Sequence, residues 1–414
     1  MDVTKQDRLV IRELARRVAE IAAMGVQAER RELWTRHNSL RPARPLIYLS
    51  PEGSWRELLP ESSLVCRGKD ARGIERDLRM RIYRQEHLHD DIPIEAEWFV
   101  NAVVHDSGWG LEPRWHSSGD PTGARGFDPV INGPGDLKKL RQPQFAYDKD
   151  ATDAREAFFR ELLGDVLEVK RRGVRQYFCH VVTLYSNLRG LGNMMMDMAA
   201  EPGMVHEALA HFAEGRRRWM QWCVDSNMFS LNNDSTYHAS GGNGYTTELP
   251  AAGFDPARVR PCDMWAASEA QELAQVSPEM HEEFALAYER PLLAPFGLNG
   301  YGCCEDLTRK LDHVLRIPHL RRISISPFAD VDRCAEKLGG RYIFSWKPHP
   351  SHLCTPFEPR RIGAYVRHTL DVCRANGCVL EMILKDTHTC ENHPERFTIW
   401  ADTAREAIEE QWPG

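Results

Sequence analysis

Two short segments concentrate side chains that bind metals or carry protons. One is Cys303-Cys304-Glu305, and the other runs from Lys385 to His393 with the letters KDTHTCENH. Thiolate, imidazole and carboxylate groups are the usual protein ligands of zinc, and a catalytic zinc typically has three of them plus one exchangeable position. Glu269 adds a carboxylate shortly after a third apolar run, CDMWA (262–266). The residue types therefore predict that three segments converge on one metal ion.

The same residues also have structural explanations. Free cysteine is among the most buried residue types, so Cys303 and Cys304 fit core packing as well as ligation. His388 and Cys390 lie two residues apart without a second cysteine pair, which falls short of a structural zinc pattern. A solvated loop explains those two residues equally well, and an exposed helix start explains Glu269.

A second group of polar residues follows other apolar runs. The stretch 231–245 is rich in glycine and amide side chains, and loops of this length on a compact domain are often functional. SWKPHP (345–350) follows another run. Turn formation and packing are the alternatives for these residues. We expect substrate contacts from Asn232, Asn233, Trp346, Lys347 and His349.

The elements that position these side chains follow a repeated pattern of short apolar runs and longer helical stretches. The runs predicted as strands are 97–104, 176–185, 228–233, 262–266, 296–301, 322–326, 341–345 and 378–384. The segments predicted as helices are 153–171, 204–225, 278–293, 307–315, 331–338, 359–375 and 394–410. Eight such units predict an α/β fold of the TIM (β/α)8 barrel type, with its site at the carboxyl ends of the strands. The alternative, an open doubly wound sheet, has only a weak glycine pattern at 189–195 in its favour.

The first part of the chain differs from the rest. Residues 4–36 carry apolar side chains at helical spacing, and the apolar run PLIYLS (45–50) is short enough for a strand. We predict a mainly helical extension over residues 1–95 and the barrel over residues 96–414. The amphipathic helices either cover the bottom of the barrel, which we favour, or associate to form a homodimer.

Composition excludes several classes of protein. The 414 residues carry 53 Lys and Arg against 60 Asp and Glu, a net charge of -7, which does not favour nucleic-acid binding. The charged N-terminus has no apolar signal-peptide core, and no run of 18 apolar residues occurs. Eleven cysteines in a chain this long do not resemble a secreted disulfide framework. We expect a cytoplasmic protein with reduced thiols and no membrane partner.

Several segments, in order, resemble the uroporphyrinogen decarboxylase superfamily, specifically its branch of corrinoid-linked methyltransferases. They are LRGLGNMMMDMAAEPGMVHEAL (188–209), the segment 268–293, GLNGYGCCEDL (297–307), the segment 322–350 and CVLEMILKDTHTCENHPERFTIW (378–400). The resemblance implies a TIM barrel and a zinc ion that activates a substrate or thiol. It also implies methyl transfer to or from a corrinoid (cobalamin) carried by a partner protein.

The metal ligands depart from the pattern of that family. Its better-known members use His-x-Cys after one strand and a further Cys after the last strand. Here Tyr301 stands in place of the histidine, Cys303 in place of the first cysteine, and Asp386 follows the last strand. The predicted zinc ligands are Glu269, Cys303 or Cys304, and one of Asp386, His388 or Cys390.

The predicted activity is zinc-dependent demethylation of a methyl ether or methylamine. An alkoxide leaves poorly, so the leaving atom needs a Lewis acid or a proton donor. Tyr301, His238 and His388 are the predicted donors, since histidine titrates near neutrality. A decarboxylase of the same superfamily is the first alternative, although no R-Q-A-G-R-type arginine segment is present. A non-catalytic binding protein on the same barrel is the second.

Overall fold

The centre of the protein is a parallel β-sheet of six strands in the order β1-β14-β13-β12-β11-β10. The computed structural model describes residues 1–116, 119, 126–238 and 240–412. The strands in chain order are β1 (Leu46–Leu49), β2 (Glu97–Asn101), β3 (Val103–Asp106), β4 (Arg114–His116), β5 (Gly126–Asp128), β6 (Phe145–Asp148), β7 (Glu168–Arg172), β8 (Tyr237–His238), β9 (Gly241–Asn243), β10 (Trp265–Ser268), β11 (Leu298–Tyr301), β12 (Leu320–Ile325), β13 (Ile343–Trp346) and β14 (Val379–Leu384).

Helices connect the strands of this sheet and cover one of its faces. They are α1 (Lys5–Ala22), α2 (Gly25–Asn38), α3 (Trp55–Leu58), α4 (Lys69–Tyr83), α5 (Lys149–Leu163), α6 (Val181–Arg189), α7 (Leu191–Ala200), α8 (Pro202–Asp225), α9 (Pro278–His281), α10 (Ala287–Leu293), α11 (Leu311–Val314), α12 (Val331–Leu338), α13 (Pro359–Ala375) and α14 (Glu395–Gln411). Of the helices in the described part of the chain, none combines the length and apolar character that crossing a bilayer requires.

The two faces of the sheet differ in polarity because strand side chains alternate in direction. On β13, Trp346 points outward and its ring lies 4.9 Å from that of Tyr365 on α13. The neighbouring Ser345 points to the opposite face, where its hydroxyl bonds the carboxylate of Glu381 on β14. The inner face therefore carries polar groups, while the outer face forms an apolar core with the helices.

The polar inner face is centred on an ion pair that no solvent reaches. Arg322 of β12 lies 2.9 Å from Glu381, and both side chains are buried. His37, from the end of α2, lies 3.2 Å from the same carboxylate. Burial opposes ionisation of Glu381. The charge of Arg322 and the hydrogen bond between Glu381 and His37 nevertheless lower the pKa of Glu381 to about 2.

The outer edge of β1 is occupied by side chains. The backbone N–H of Leu49 donates to Asp90 at 3.1 Å, and the N–H of Ile47 donates to Asp91 at 2.8 Å. Asp91 is in turn paired with Arg44 and Arg405, at 2.7 and 2.8 Å. Two adjacent carboxylates therefore satisfy the donors that a further strand would otherwise meet.

The second half of the chain matches the predicted alternation, and the first half does not. β10 to β14 correspond to the last five predicted strands, and α12 to α14 begin and end within one residue of their predicted limits. The run 97–104 forms β2 and β3, which pair with β7 and β6 outside the central sheet. The first strand of the central sheet is instead β1, within residues 1–95.

Two predicted strands are not formed. The second half of the run 176–185 belongs to α6, whose buried residues Val181, Tyr185 and Leu188 recur at helical spacing. In the run 228–233 only Phe229 makes an isolated bridge, to Val174. The structure therefore shows an α/β fold whose central sheet has six parallel strands in the described residues, and it does not show a closed eight-stranded barrel.

The N-terminal helices contact different parts of the molecule. α1 packs against α4 and α5 around a separate apolar core that includes Trp98 and Phe159. α2 reaches the central sheet, because Trp34 packs with Leu46 of β1. It is therefore α2, and not α1, whose core packing includes the central sheet.

Candidate active site

The carboxyl ends of the six parallel strands form one edge of the sheet, which we call the carboxyl edge. The residues that follow the strands meet here, as expected for parallel α/β folds. They include Glu269 after β10, Cys303 after β11, Lys347 after β13 and Lys385 after β14. The structure thus brings together part of the predicted site. It also adds Lys385, for which the residue pattern predicted no role.

Cys303, Cys304, Lys385 and Asp386 form a compact group, which we call the thiol cluster. The two sulfur atoms lie 3.5 Å apart. The Lys385 ammonium lies 3.4 Å from the sulfur of Cys303 and 3.6 Å from that of Cys304. It also lies 2.9 Å from the carboxylate of Asp386, which contacts the Cys304 sulfur at 3.4 Å. One cation is therefore shared by two thiols and one carboxylate.

The two thiols have opposite acidities because they share a hydrogen bond. The hydrogen bond between the two thiols, with the charge of Lys385, lowers the pKa of Cys303 to about 7. The same hydrogen bond raises the pKa of Cys304 above its ordinary value. Because a thiolate rather than a thiol is nucleophilic, Cys303 is the reactive member of the pair near neutral pH.

Glu269 lies at the same edge, and among the described residues no cationic side chain pairs with it. Its carboxylate accepts hydrogen bonds from the N–H of Gln271 at 2.8 Å and the hydroxyl of Thr183 at 3.5 Å. The imidazole of His180 lies 4.0 Å away, and burial lowers the pKa of His180 to about 4, so the ring is neutral at pH 7. Burial, with repulsion from Glu305 and Glu272, raises the pKa of Glu269 to about 9. Glu269 is therefore a neutral acid near pH 7.

Glu305 is hydrogen-bonded both to the segment of Cys303 and to the segment of Glu269. One of its oxygens accepts the N–H of Cys303 at 2.8 Å, and the other accepts the N–H of Ala270 at 3.3 Å. Ala270 directly follows Glu269 in the chain. The buried carboxylate of Glu305 thus fixes the segment that carries the acid against the segment that carries the thiolate.

The predicted zinc site does not form as a set of three ligands. In the described part of the chain, no group of three or more His, Cys, Asp or Glu side chains is arranged to hold a metal ion. In the thiol cluster, the ammonium of Lys385 takes the position between the sulfurs and Asp386 that a cation would occupy. Cys390 lies apart from the cluster, buried, with its sulfur 3.1 Å from the carboxylate of Glu57. Glu269 belongs to the separate hydrogen-bonded group described above.

Of the three predicted proton donors, Tyr301 and His238 have structural hydrogen-bond partners, and His388 is exposed. The hydroxyl of Tyr301 points into the helical layer, 3.0 Å from both His281 and Glu289. His238 bonds the carbonyl of Asn232 at 2.9 Å and stacks on Trp265 at the start of β10. His388 is exposed in the loop after β14.

Four of the five predicted substrate contacts have structural partners instead. Asn232 links two chain segments, bonding the N–H and the carbonyl of Trp265 at 3.0 and 2.9 Å. Asn233 bonds the carbonyl of Leu249 at 2.8 Å. Trp346 packs in the helical layer, and His349 caps the turn at Ser351 with a 2.7 Å bond to its hydroxyl.

The glycine-rich loop 231–245 does approach the site, through its backbone. A Cβ atom added to Gly241 would lie 2.2 Å from the hydroxyl oxygen of Ser345, so only glycine fits there. The hydroxyl of Ser240 donates to the carbonyl of Gly302 at 2.8 Å, which joins the loop to the end of β11. The loop therefore covers the polar inner face.

Sequence reasoning missed Lys385, Glu305 and His180. Lys385 and Glu305 belong to the two segments singled out for their metal-binding residues. Both follow a predicted strand, and that position alone would have placed them at the carboxyl edge. His180 follows Phe178, which makes an isolated parallel bridge to Ala267 of β10. The strand predicted over 176–185 places His180 inside a strand and not after one, because the start of α6 at Val181 was not recognised.

Comparison of the sequence with models of known families and with curated proteins gives no match. Among solved structures, a methyltransferase from Methanosarcina mazei is similar over 92% of this chain and 97% of its own. The sequence identity is 13% and the TM-score is 0.47.

Proposed function

We propose that the carboxyl edge is the active site of a methyltransferase that demethylates a small methyl ether or methylamine. The methyl group would pass to a corrinoid carried by a partner protein. The resemblance of five sequence segments to corrinoid-linked methyltransferases supports this class of reaction. The observation that carries the proposal is Glu269, a buried and uncharged acid beside a cluster that holds a thiolate.

The chemical difficulty in demethylation is the leaving group. An alkoxide or amide anion is too basic to leave at neutral pH, so the oxygen or nitrogen must take a proton as its bond to carbon breaks. Glu269 still holds its proton at pH 7, because its pKa is raised to about 9. It would donate that proton to the leaving atom and become a carboxylate. The neutral His180, 4.0 Å away, is a base that could return a proton from solvent.

Two further groups belong to the proposal. The corrinoid would supply a Co(I) centre that accepts the methyl group. Zinc was predicted from the residue types, but the residues as arranged do not fit it, since Lys385 occupies the centre of the thiol cluster. The proton transfer proposed for Glu269 does not involve zinc. Metal analysis of the anaerobically purified protein tests the prediction of zinc binding separately. Membership of the superfamily is a further part of this proposal.

The test is methyl transfer to free cobalamin. The protein is incubated with reduced Co(I) cobalamin and a panel of methoxylated aromatics and methylamines, and methylcobalamin is followed by its absorbance. We expect turnover with at least one methyl donor, and a loss of about a hundredfold or more in Glu269→Gln, the usual size of a general acid's contribution.

Glu289→Gln is the matched control. Glu289 is also a buried carboxyl, with a pKa raised to about 8 by burial, but it lies in the helical layer against Tyr301. We expect this variant to keep the wild-type rate. Equal rates in Glu269→Gln and wild type would remove Glu269 from the mechanism, and no turnover with any donor would contradict the proposed function.

A further inference from the structure

Cys303 and Cys304 present two sulfur atoms side by side at the carboxyl edge, and no step of the proposed methyl transfer uses them. The residues are adjacent in the chain, and their sulfur atoms lie 3.5 Å apart. Both side chains are partly exposed, so a small molecule can reach them. A second pair of neighbouring thiols, Cys373 and Cys378, is buried and therefore closed to solutes. Of these two pairs, only the first is open to a ligand that bonds to both sulfurs.

A positive charge beside this pair limits which ligands it accepts. The ammonium of Lys385 lies 3.4 Å from the sulfur of Cys303 and 3.6 Å from that of Cys304. Among the described residues, no group of three or more Cys, His, Asp or Glu side chains is arranged here to hold a metal ion. A divalent cation would therefore meet a fixed charge of its own sign and too few ligands. The pair favours a ligand that is uncharged and needs only two sulfurs.

Arsenous acid has both properties. It is uncharged at neutral pH, and its trivalent arsenic is a soft centre of the kind that thiolates prefer. Two sulfurs and one remaining hydroxyl complete its three bonds, whereas a structural zinc takes four protein ligands. One arsenic atom bonded to both sulfurs also keeps the sulfurs apart. A disulfide would instead require them to approach from 3.5 Å to about 2.0 Å.

We propose that Cys303 and Cys304 form a binding site for a neutral trivalent arsenical. The thiolate of Cys303 displaces one hydroxyl of arsenous acid, which takes a proton from solvent and leaves as water. The thiol of Cys304 displaces a second hydroxyl, which takes the proton of that thiol and also leaves as water. Two S–As bonds replace two O–As bonds, and nothing is oxidised or reduced. Lys385 and Asp386, which contact the sulfurs, would donate to and accept from the remaining hydroxyl.

The test is binding of arsenite to wild-type protein that has been reduced with a phosphine, so that no competing thiol is present. Equilibrium dialysis gives the amount of arsenic bound. A brief pulse of iodoacetamide, followed by peptide mass spectrometry, gives the alkylation rate of each cysteine. We expect one arsenic per chain and alkylation of Cys303 at least tenfold slower than without arsenite. Added 2,3-dimercaptopropanol, a competing dithiol, should restore the rate.

Cys354 is the internal control for binding through a single thiol. It is also partly exposed, and we expect arsenite to leave its alkylation rate unchanged. The variant Cys304→Ser keeps Cys303 and Lys385 but removes one sulfur, so it should lose the bound arsenic. Wild-type protein that binds no arsenic would overturn the proposal. So would equal binding in Cys304→Ser and wild type, or equal slowing at Cys354 and Cys303.

Competition with zinc tests the role of the charge. Excess zinc should leave arsenic bound to wild type, because the ammonium of Lys385 repels the dication. In Lys385→Met, zinc should displace arsenic. Equal displacement from both proteins would overturn the assignment of the site to uncharged ligands. None of these measurements depends on methyl transfer, so the failure of one proposal leaves the other intact.

Discussion

At the scale of single residues, the main feature of the site is a lysine between two thiols. Lys385 stabilises the thiolate of Cys303 by its charge, and Cys304 adds a hydrogen bond. Burial opposes ionisation of Lys385, but the thiols and Asp386 raise its pKa above the ordinary value. Thiolate and ammonium therefore stabilise each other in a partly buried site.

This pairing predicts selective alkylation of Cys303. The lowered pKa of Cys303 leaves more of it as thiolate at pH 7 than in an ordinary cysteine, so iodoacetamide should label it ahead of Cys334, whose pKa burial raises to about 12. Lys385→Met should slow the labelling of Cys303 about tenfold at pH 7, as expected for a rise of roughly one unit in its pKa. Peptide mass spectrometry over time measures both rates. Unchanged labelling in the variant would show that Lys385 does not control the thiol.

The same lysine predicts an effect on metal content. If its ammonium occupies the position of a cation, replacing it with an uncharged side chain vacates that position between Cys303, Cys304 and Asp386. We expect Lys385→Met to bind more zinc than wild type when both are exposed to equal zinc and analysed after gel filtration. A variant that also lacks both cysteines is the control. Equal zinc in wild type and Lys385→Met would contradict competition between the lysine and the metal.

Residue types alone identified part of this site. Glu269, Cys303, Cys304 and Asp386 were recognised because they follow apolar runs, and a position after a parallel strand is sufficient to place a residue at the carboxyl edge. The roles were not predictable, because they depend on which neighbour each group faces. Tyr301 shows this clearly: one strand position directs its hydroxyl to Glu289 in the helical layer instead of the inner face.

At the scale of elements, the ion pair between β12 and β14 is the strongest constraint on the inner face. Glu381 and Arg322 are buried together, and each neutralises a charge that would otherwise be buried without a partner. Arg322→Met should destabilise the protein by about 3–5 kcal/mol, because it leaves a buried carboxylate without its partner. The double variant Arg322→Met with Glu381→Gln should recover part of that loss. Urea unfolding of wild type and these two variants measures the differences.

Arg333→Met provides the control for this comparison. Arg333 lies on α12, 73% exposed, at 3.9 Å from Asp330. Exposed pairs contribute about 0–1 kcal/mol, so this variant should unfold close to wild type. If Arg322→Met were no more destabilised than Arg333→Met, the buried pair would not constrain the sheet.

The elements differ in how well the sequence predicted them. α12, α13 and α14 have strong helical periodicity and clear beginnings, and they lie where expected. The segment 176–185 was mistaken for a strand because a short apolar run fits a buried helix equally well. The run 97–104 has the composition of a strand and forms strands, but nothing local reveals that their partners are β7 and β6.

At the scale of the whole molecule, the proton on Glu269 links stability to pH. The folded protein holds this proton up to a pH of about 9, whereas the unfolded chain releases it near 4.3. Between those values the unfolded state binds fewer protons, so this group makes folding less favourable as pH rises, by up to about 1.4 kcal/mol for each pH unit. Glu269→Gln removes this contribution.

The stability of Glu269→Gln relative to wild type should therefore increase from pH 5 to pH 9. Urea unfolding of both proteins at four pH values measures the difference, and the effects of other groups cancel in the comparison. A difference that does not change with pH would mean that Glu269 is ionised in the folded protein, which would also remove the acid from the proposed mechanism.

The outer edge of β1 has a consequence for how the protein behaves in a concentrated solution. An exposed strand edge is a template on which a strand of another molecule can grow, and many proteins aggregate in this way. Here the outward N–H groups of Ile47 and Leu49 are already bound by Asp91 and Asp90. An incoming strand would have to displace two buried carboxylates, one of them held by two arginines. The consecutive side chains of Asp90 and Asp91, in a segment without regular structure, thus protect the sheet from pairing with a strand of another molecule.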